Sequence, residues 1–246
     1  MAHSWATKLQ AGRMAFEKGF FKDAERMSKA AVEEMRNLGI SGEPLSLALN
    51  NLAMSYFAQG KHEEADPLFR EILRLDENDG GPHSRAVASD LNNYAAHQSA
   101  SGRLEDAEST YKRALELEQR ISGEESAETA LVLNNLGELE SELGKYKEAQ
   151  EKLTKALRIR ELVHGSKHQY VAETLANLAS VYSEQGNYNE AEPMFRRAVQ
   201  IFEVTVGPRH PELAYCLEDY AELLERQHRD QEAAQIQRRA EEILGR

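Results

Sequence analysis

The stretch AETLANLASVYSEQGNYNEAE, from Ala172 to Glu192, decides the fold. Its first half carries apolar residues at helical spacing, which predicts an amphipathic helix. Gly186 follows the last turn of this pattern, where a glycine commonly ends a helix. A second apolar pattern begins at Ala191 and continues through Phe195 and Ala198. The segment therefore predicts two helices joined by a short turn.

The same pattern recurs along the chain. The alanine of the YNEAE segment has five equivalents, the first step being 41 residues and the other four 42: Ala24, Ala65, Ala107, Ala149, Ala191 and Ala233. A small residue stands twelve positions before each of them: Gly12, Ala53, Ala95, Gly137, Ala179 and Ala221. Small side chains at both places would let the two helices of a hairpin approach closely, and a large one would overpack the crossing.

Self-similarity at a fixed period of this length is the signature of a repeat protein. We predict an all-α fold of six helix-turn-helix repeats, about twelve helices, in a single array over residues 1–246. The predicted repeats are approximately 5–42, 46–84, 88–126, 130–168, 172–210 and 214–246. The first and last repeats are the least regular, as expected at the ends of such an array, which predicts a nearly complete one.

Charge and composition limit the classes of partner. The net charge is −12 over 246 residues, which argues against nucleic acid and against anionic membranes. No apolar run approaches the roughly 18 residues that span a bilayer, and the N-terminus lacks the pattern of a signal peptide. The single cysteine, Cys216, excludes an internal disulfide framework. We expect a cytoplasmic protein with a protein or peptide partner.

The internal pattern narrows the repeat type, because the period alone would also fit HEAT and armadillo repeats. Leucine, a small residue, tyrosine, Gly-x-Tyr-x-Glu-Ala, phenylalanine and alanine follow one another in an order that resembles the tetratricopeptide repeat. The 42-residue unit with its connector GPRHPELA, residues 207–214, is similar to the kinesin light chain type. The resemblance covers Trp5 to Leu244. It implies a right-handed superhelical solenoid in which the first helix of each repeat lines a concave groove.

Asparagines recur at one position of these first helices. They are Asn51, Asn93, Asn135 and Asn177, three of them preceded by Asn50, Asn92 and Asn134, and the last repeat has Asp219. An amide can pair with both the N–H and the C=O of an extended peptide, and the resemblance implies peptide contact at this position. Alternatively, these amides bond neighbouring backbone groups and set the repeat geometry. The sequence leaves both interpretations open.

The predicted groove changes charge along the chain. It is nearly neutral in the first three repeats and acidic in the last three, at Glu138, Glu142, Glu173, Glu184, Glu218, Asp219, Glu222 and Glu225. We predict compensating basic residues on the outer side, at Lys152, Lys155, Arg158 and Arg160. Such a groove would attract a Lys/Arg-bearing segment, although solvated helix faces have the same composition. Kinesin light chains present basic residues to acidic cargo peptides, so their cargo specificity is not transferred.

No catalytic motif is present, and we predict that the protein is not an enzyme and needs no cofactor. His164 and His168 are four residues apart, but Gly165 places them in a connector and no metal is expected. Cys216 is expected to be buried and inert. The predicted function is a protein-interaction scaffold or adaptor that holds an extended or helical peptide in its groove. The alternatives are a homo-oligomeric array and a regulatory subunit that binds a folded partner through its convex face.

Overall fold

The computed structural model describes residues 4–246, which form twelve α-helices and, within this range, no strand. The predicted all-α helical repeat fold is confirmed. None of the described helices is both long and apolar enough to span a bilayer. The helices are α1 (Ser4–Glu17), α2 (Phe21–Asn37), α3 (Glu43–Phe57), α4 (His62–Gly80), α5 (Arg85–Ala100), α6 (Leu104–Ser122), α7 (Ala127–Glu142), α8 (Tyr146–His164), α9 (Gln169–Glu184), α10 (Tyr188–Thr205), α11 (Pro211–Arg226) and α12 (Asp230–Leu244).

The helices form two compact units, the first ending at Ile121 and the second beginning at Ser122. In the first unit α1 pairs with α2 and α3 with α4, while α2 packs on α3 and α4 on α5. In the second unit the hairpins are α7–α8, α9–α10 and α11–α12, and α9 also contacts both α7 and α11. The first helices of the second unit therefore form one continuous layer. The predicted single array over 1–246 stays a prediction.

Small residues lie at the crossing of each hairpin, as the sequence predicts. The six repeated alanines are at most 1% exposed, and Gly12 and Gly137 are buried. A Cβ atom added to Gly137 would lie 2.7 Å from Cγ of Leu153 and 3.3 Å from the carbonyl oxygen of Ala149. The backbones of α7 and α8 thus approach so closely that no side chain fits at this point.

We expect Gly137→Ala to destabilise the second unit by about 1 kcal/mol. Overpacking costs about 1–3 kcal/mol, and the better helix propensity of alanine offsets up to about 1 kcal/mol of it. Gly12→Ala is the matched control, since its Cβ would meet the rotatable hydroxyl of Ser28, whose Oγ lies 2.6 Å away. Thermal unfolding followed by circular dichroism should show a larger loss for Gly137→Ala. An equal or smaller loss would contradict the close crossing.

The turn inside each hairpin uses a left-handed residue. Gly186 has φ of 77°, and the N–H of Asn187 donates to the carbonyl of Tyr182 at 2.8 Å. The last hairpin has His228 at the equivalent place with φ of 60°, the one non-glycine residue in this region of φ among residues 4–246. The N–H of Arg229 still donates to the carbonyl of Leu224 at 2.9 Å. The turn therefore keeps its geometry despite the steric cost of a side chain.

The connectors between hairpins supply helix caps with the same 42-residue period. Ser84, Ser126, His168 and His210 precede α5, α7, α9 and α11, and each side chain accepts a hydrogen bond from a backbone N–H of the first turn. Such a bond satisfies one of the donors that a helix N-terminus leaves unpaired. These caps fix where the first helix of each hairpin begins.

Ion pairs of one type link consecutive second helices on the outer side. Glu77 pairs with Arg113, Glu161 with Arg197 and Glu203 with Arg239, at 2.5, 2.5 and 2.6 Å between carboxylate oxygen and guanidinium nitrogen. The partners are 36 residues apart in each case. Exposed pairs of this kind contribute about 0–1 kcal/mol each to the free energy of unfolding. Their main effect is therefore on the alignment of neighbouring second helices.

Candidate functional site

The candidate site lies on the layer formed by α7, α9 and α11, which we call the first-helix face of the second unit. Residues 42 positions apart stand side by side on it. One row consists of Leu131, Glu173 and Tyr215, and the next of Asn135, Asn177 and Asp219. The face is therefore the counterpart of the groove that the sequence predicts.

A cleft of about 260 Å³ opens on this face. Four carboxylates line it together with one amide, and buried apolar atoms form its floor. The carboxylates belong to Glu138, Glu173, Glu212 and Asp219, the amide to Asn177, and the remaining lining to Ala176, Phe202, Tyr215 and Cys216. We call it the acidic cleft. Of the predicted groove residues, the structure brings Glu138, Glu173, Asn177 and Asp219 together here.

Three carboxylates of the acidic cleft, those of Glu138, Glu173 and Asp219, have raised pKa values. Burial raises the pKa of Asp219 to about 6, with Glu222 and Glu218 adding repulsion. Burial also raises the pKa of Glu138, and Glu173, Glu142 and Asp219 act in the same direction. Both side chains are exposed to water on the open wall of the cleft. Many protein atoms nevertheless lie around them, and these atoms disfavour the charged form of each carboxyl group. A cation placed here would relieve this repulsion.

Arg160 reaches the cleft from α8. Its side chain is only 3% exposed, and it donates to the carbonyl oxygen of Tyr170 at 2.8 Å and to Oγ1 of Thr174 at 2.7 Å. One guanidinium nitrogen lies 3.2 Å from Oε2 of Glu173, whose side chain is 40% exposed. Burial lowers the pKa of Arg160 and raises that of Glu173, so desolvation outweighs the attraction between the two charges.

This placement corrects the sequence prediction that Arg160 lies on the outer side. Arg160 continues the spacing of Ala149, Leu153 and Ala156, which are all fully buried on α8. Position 160 therefore faces the neighbouring helix α9. The apolar spacing was the signal for its burial, and the positive charge alone suggested the opposite.

Among the asparagines of the second unit, Asn134 has the structural role that the sequence left open. Asn134 is fully buried, and its Nδ2 donates to Oε1 of Glu173 at 2.9 Å. Nδ2 of Asn177 lies 3.5 Å from Oδ1 of Asn134. Asn134 thus joins α7 to α9 and serves the repeat geometry. Asn135 and Asn177 are half-buried on the face itself, where contact with a peptide stays a prediction.

The first unit carries the other four predicted asparagines. Asn92 is buried, while Asn51 and Asn93 are half-buried on α3 and α5. Oδ1 of Asn50 is enclosed and has no hydrogen-bond partner among the described residues. The role of these four asparagines in peptide contact stays a prediction.

Cations already neutralise part of the predicted acidic surface. Arg226 donates to Glu184 at 2.5 Å and to Glu222 at 2.8 Å, and Arg246 lies 3.4 Å from Glu218. Glu222 is thus half of an exposed ion pair, which the sequence analysis did not foresee. The spacing of Glu222 and Arg226, four residues on one helix, was the available signal. Glu138 and Asp219 of the acidic cleft, in contrast, form no such ion pair among residues 4–246.

Cys216 and the pair of His164 and His168 do not form a recognisable catalytic site. Cys216 is 3% exposed, and burial raises the pKa of its thiol, so the reactive thiolate is disfavoured. The rings of His164 and His168 stack with centroids 4.6 Å apart. Residues 4–246 contain no group of three or more His, Cys, Asp or Glu side chains arranged for a metal ion.

A tetratricopeptide repeat family model matches the chain in five overlapping segments: residues 6–78, 44–120, 86–162, 128–203 and 170–245. The chain belongs to the tetratricopeptide repeat family. This confirms the resemblance drawn from the repeated alanines and glycines. The family's fold typically serves as a non-enzymatic scaffold for protein interactions. No curated protein sequence matches the chain.

Solved structures share the fold at low sequence identity. BtubC (BKLC) from P. vanneervenii is 21% identical with a TM-score of 0.67, covering 98% of this chain and 90% of its own. A Podosopora anserina chain, whose name refers to kinesin light chain and nearly identical TPR-like repeats, is 19% identical with a TM-score of 0.64, covering 80% and 93%. A Rap protein complexed with Competence and Sporulation Factor is 18% identical with a TM-score of 0.69, covering 98% and 75%. These likenesses show that the chain shares the fold of these solved structures.

Proposed function

We propose that this tetratricopeptide repeat protein is a scaffold or adaptor that binds a basic peptide segment on the first-helix face of its second unit. The observation that carries the proposal is the acidic cleft, in which Glu138 and Asp219 form no ion pair within residues 4–246, although the buried Arg160 attracts Glu138 from a distance. A lysine or arginine side chain would supply a positive charge that offsets the burial and the repulsion by which the pKa of both carboxylates is raised.

Two further observations support a peptide as the partner. Asn135 and Asn177 are half-buried beside the cleft, where their amides could pair with a peptide backbone of any sequence. The Rap protein of similar fold is complexed with Competence and Sporulation Factor, which makes ligand binding by this architecture a reasonable expectation. The cytoplasmic location expected from the sequence belongs to the same proposal.

Removing the charges of the cleft should weaken binding of basic peptides. We expect the double variant Glu138→Gln, Asp219→Asn to bind a Lys/Arg-rich peptide pool about fivefold more weakly, because each exposed charge contributes about 0.2–1 kcal/mol. Fluorescence anisotropy at low and physiological salt would measure the change. The loss should be larger at low salt, where screening is weaker. Binding should also weaken between pH 7 and pH 5, as Asp219 takes up a proton near its pKa of about 6.

The double variant Glu148→Gln, Glu151→Gln is the matched control, since it removes two exposed carboxylates from α8 and changes net charge equally. It should bind the basic pool as the native protein does. Equal weakening in both variants would indicate only a long-range effect of net charge. Indifference of the native protein to basic and acidic pools would overturn the proposal and favour self-association or a folded partner on another face. Sedimentation over a range of concentrations would then distinguish these two.

A further inference from the structure

A second pocket opens on the same unit, between α7, α8 and α9. Its volume is about 230 Å³, and its lining consists of Ala127, Glu128, Leu131, Arg160, His164 and Tyr170. Leu131 and Tyr170 are 42% and 41% exposed, although both are large and mainly apolar. We call it the apolar pocket. It shares Arg160 with the polar network that ends at Glu173 on the wall of the acidic cleft.

The rings in the apolar pocket are already engaged with one another. His164 stacks on His168 at 4.6 Å, and the guanidinium of Arg160 lies 5.3 Å from the ring centroid of Tyr170. These contacts occupy ring surface within the protein, and the exposed side chain of Leu131 adds an aliphatic surface to the same pocket. Such a wall suits a large aliphatic side chain, whose contacts need no particular ring geometry.

Charge separates the two pockets. The apolar pocket has one charge of each sign in its lining, Arg160 and Glu128, while four carboxylates line the acidic cleft. Burial, His168 and Arg160 lower the pKa of His164, so its imidazole is neutral at pH 7 and adds no charge to the pocket. A ligand with one basic and one aliphatic side chain is therefore favoured in the arrangement that places its cation in the acidic cleft.

The spacing along α9 sets the distance between the two side chains. Tyr170 belongs to the apolar pocket and Asn177 to the acidic cleft, seven residues further along the helix. At about 1.5 Å per residue, they are about 10 Å apart along the helix axis. An extended chain covers about 3.3 Å per residue, so about three residues span this distance.

We propose that the two pockets together bind an extended peptide segment in which a large aliphatic residue and a lysine or arginine stand about three residues apart. The aliphatic side chain contacts Leu131 and Tyr170, and the cation lies between Glu138 and Asp219. This inference rests on the proposed function and adds the apolar half of the recognition. It makes the partner a segment of mixed basic and aliphatic character rather than a purely basic one.

The test uses dye-labelled ten-residue Gly/Ser peptides with the full chain. One carries lysine alone, and others carry lysine with leucine two to five residues away, in both orders. We expect leucine at the three-residue spacing, in one order, to tighten binding about tenfold, because it removes apolar surface of both partners from water. Leu131→Ser should abolish this gain and leave the affinity for the lysine-only peptide unchanged.

Leu162→Ser is the matched control, because Leu162 is 65% exposed on α8 and lies outside both pockets. It should retain the leucine gain. A lysine-only peptide that binds without any gain from leucine, or a gain that survives Leu131→Ser, would overturn this inference and leave the proposed function standing. No binding of any peptide in the set would overturn both. The amide exchange of Leu131→Ser should match the native protein, since the side chain is exposed.

Discussion

Replacing Arg160 by alanine is expected to destabilise the second unit by about 3 kcal/mol. The change leaves the carbonyl of Tyr170, Oγ1 of Thr174 and the carboxylate of Glu173 without their common donor. Breaking a buried ion pair costs about 3–5 kcal/mol, and the lower end applies because water can reach the 40% exposed side chain of Glu173. Denaturant unfolding with hydrogen exchange in α8 and α9 would measure the loss.

Arg158→Ala is the control for the Arg160 variant. Arg158 lies two residues away on the same helix and pairs with Glu125, but both side chains are more than half exposed. We expect its loss to stay below about 1 kcal/mol. In Arg160→Ala, a second change of Glu173→Gln should restore part of the stability, because it removes the carboxylate left unpaired. Equal stability of the two arginine variants would contradict the buried network.

The second large effect is expected at His97, in the first unit. His97 is 1% exposed and lies among the rings of Phe57, Phe69 and Tyr94, with centroids 5.0–6.3 Å away. Neither ring nitrogen has a hydrogen-bond partner among residues 4–246, although Nε2 is 3.8 Å from Oδ1 of Asp66. Burial lowers the pKa of His97 to about 4, against the attraction of Asp66 and with added repulsion from Arg103 and His62.

A lowered folded-state pKa of a base makes the unfolded chain the stronger proton binder. The first unit should therefore lose stability as the pH falls below the unfolded value of about 6.5, and the loss should level off below about 4. At about 1.4 kcal/mol per pKa unit, the contribution of His97 between pH 7 and pH 5 is about 2 kcal/mol. Other groups titrate in this range, so the comparison must be between variants.

His97→Phe keeps an aromatic ring in the cluster and removes the titration. We expect its free energy of unfolding to fall less than that of the native protein between pH 7 and pH 5, by about 2 kcal/mol. His83→Gln, which removes an exposed histidine from the same unit, should follow the native curve. Parallel curves for the native protein and His97→Phe would show that His97 is not held neutral. Denaturant unfolding at several pH values supplies these curves.

The fold could be predicted from the sequence because the same pattern of small and apolar residues occurs in six repeats. Each copy places a small residue at the crossing, and each crossing is buried as expected. A helix assignment made for one hairpin and its connector therefore applies to the other repeats. The glycine in the turn of the first five hairpins predicts the end of each first helix on its own. In the last hairpin His228 adopts the same left-handed conformation, so the turn persists without its glycine.

The candidate site was predictable only in part. The acidic character of the first-helix face follows from position within the repeat, and Glu138, Glu173 and Asp219 do meet in one cleft. Which charges neutralise one another depends on side chains from different helices, such as Arg160 of α8 with Glu173 of α9. The residue spacing within a single helix does not reveal such pairs between helices. The apolar pocket could not be predicted from the sequence for the same reason, since its walls come from three helices.

The repeated outer ion pairs bear on how this chain can change length. Glu161 and Arg197 link α8 to α10, and Glu203 and Arg239 repeat the link from α10 to α12. Helix α10 thus pairs through Arg197 with the preceding hairpin and through Glu203 with the following one. A copy of α10 placed on either side could form the same ion pair with it. Tandem duplication of a 42-residue module would thus create a junction whose charges already match.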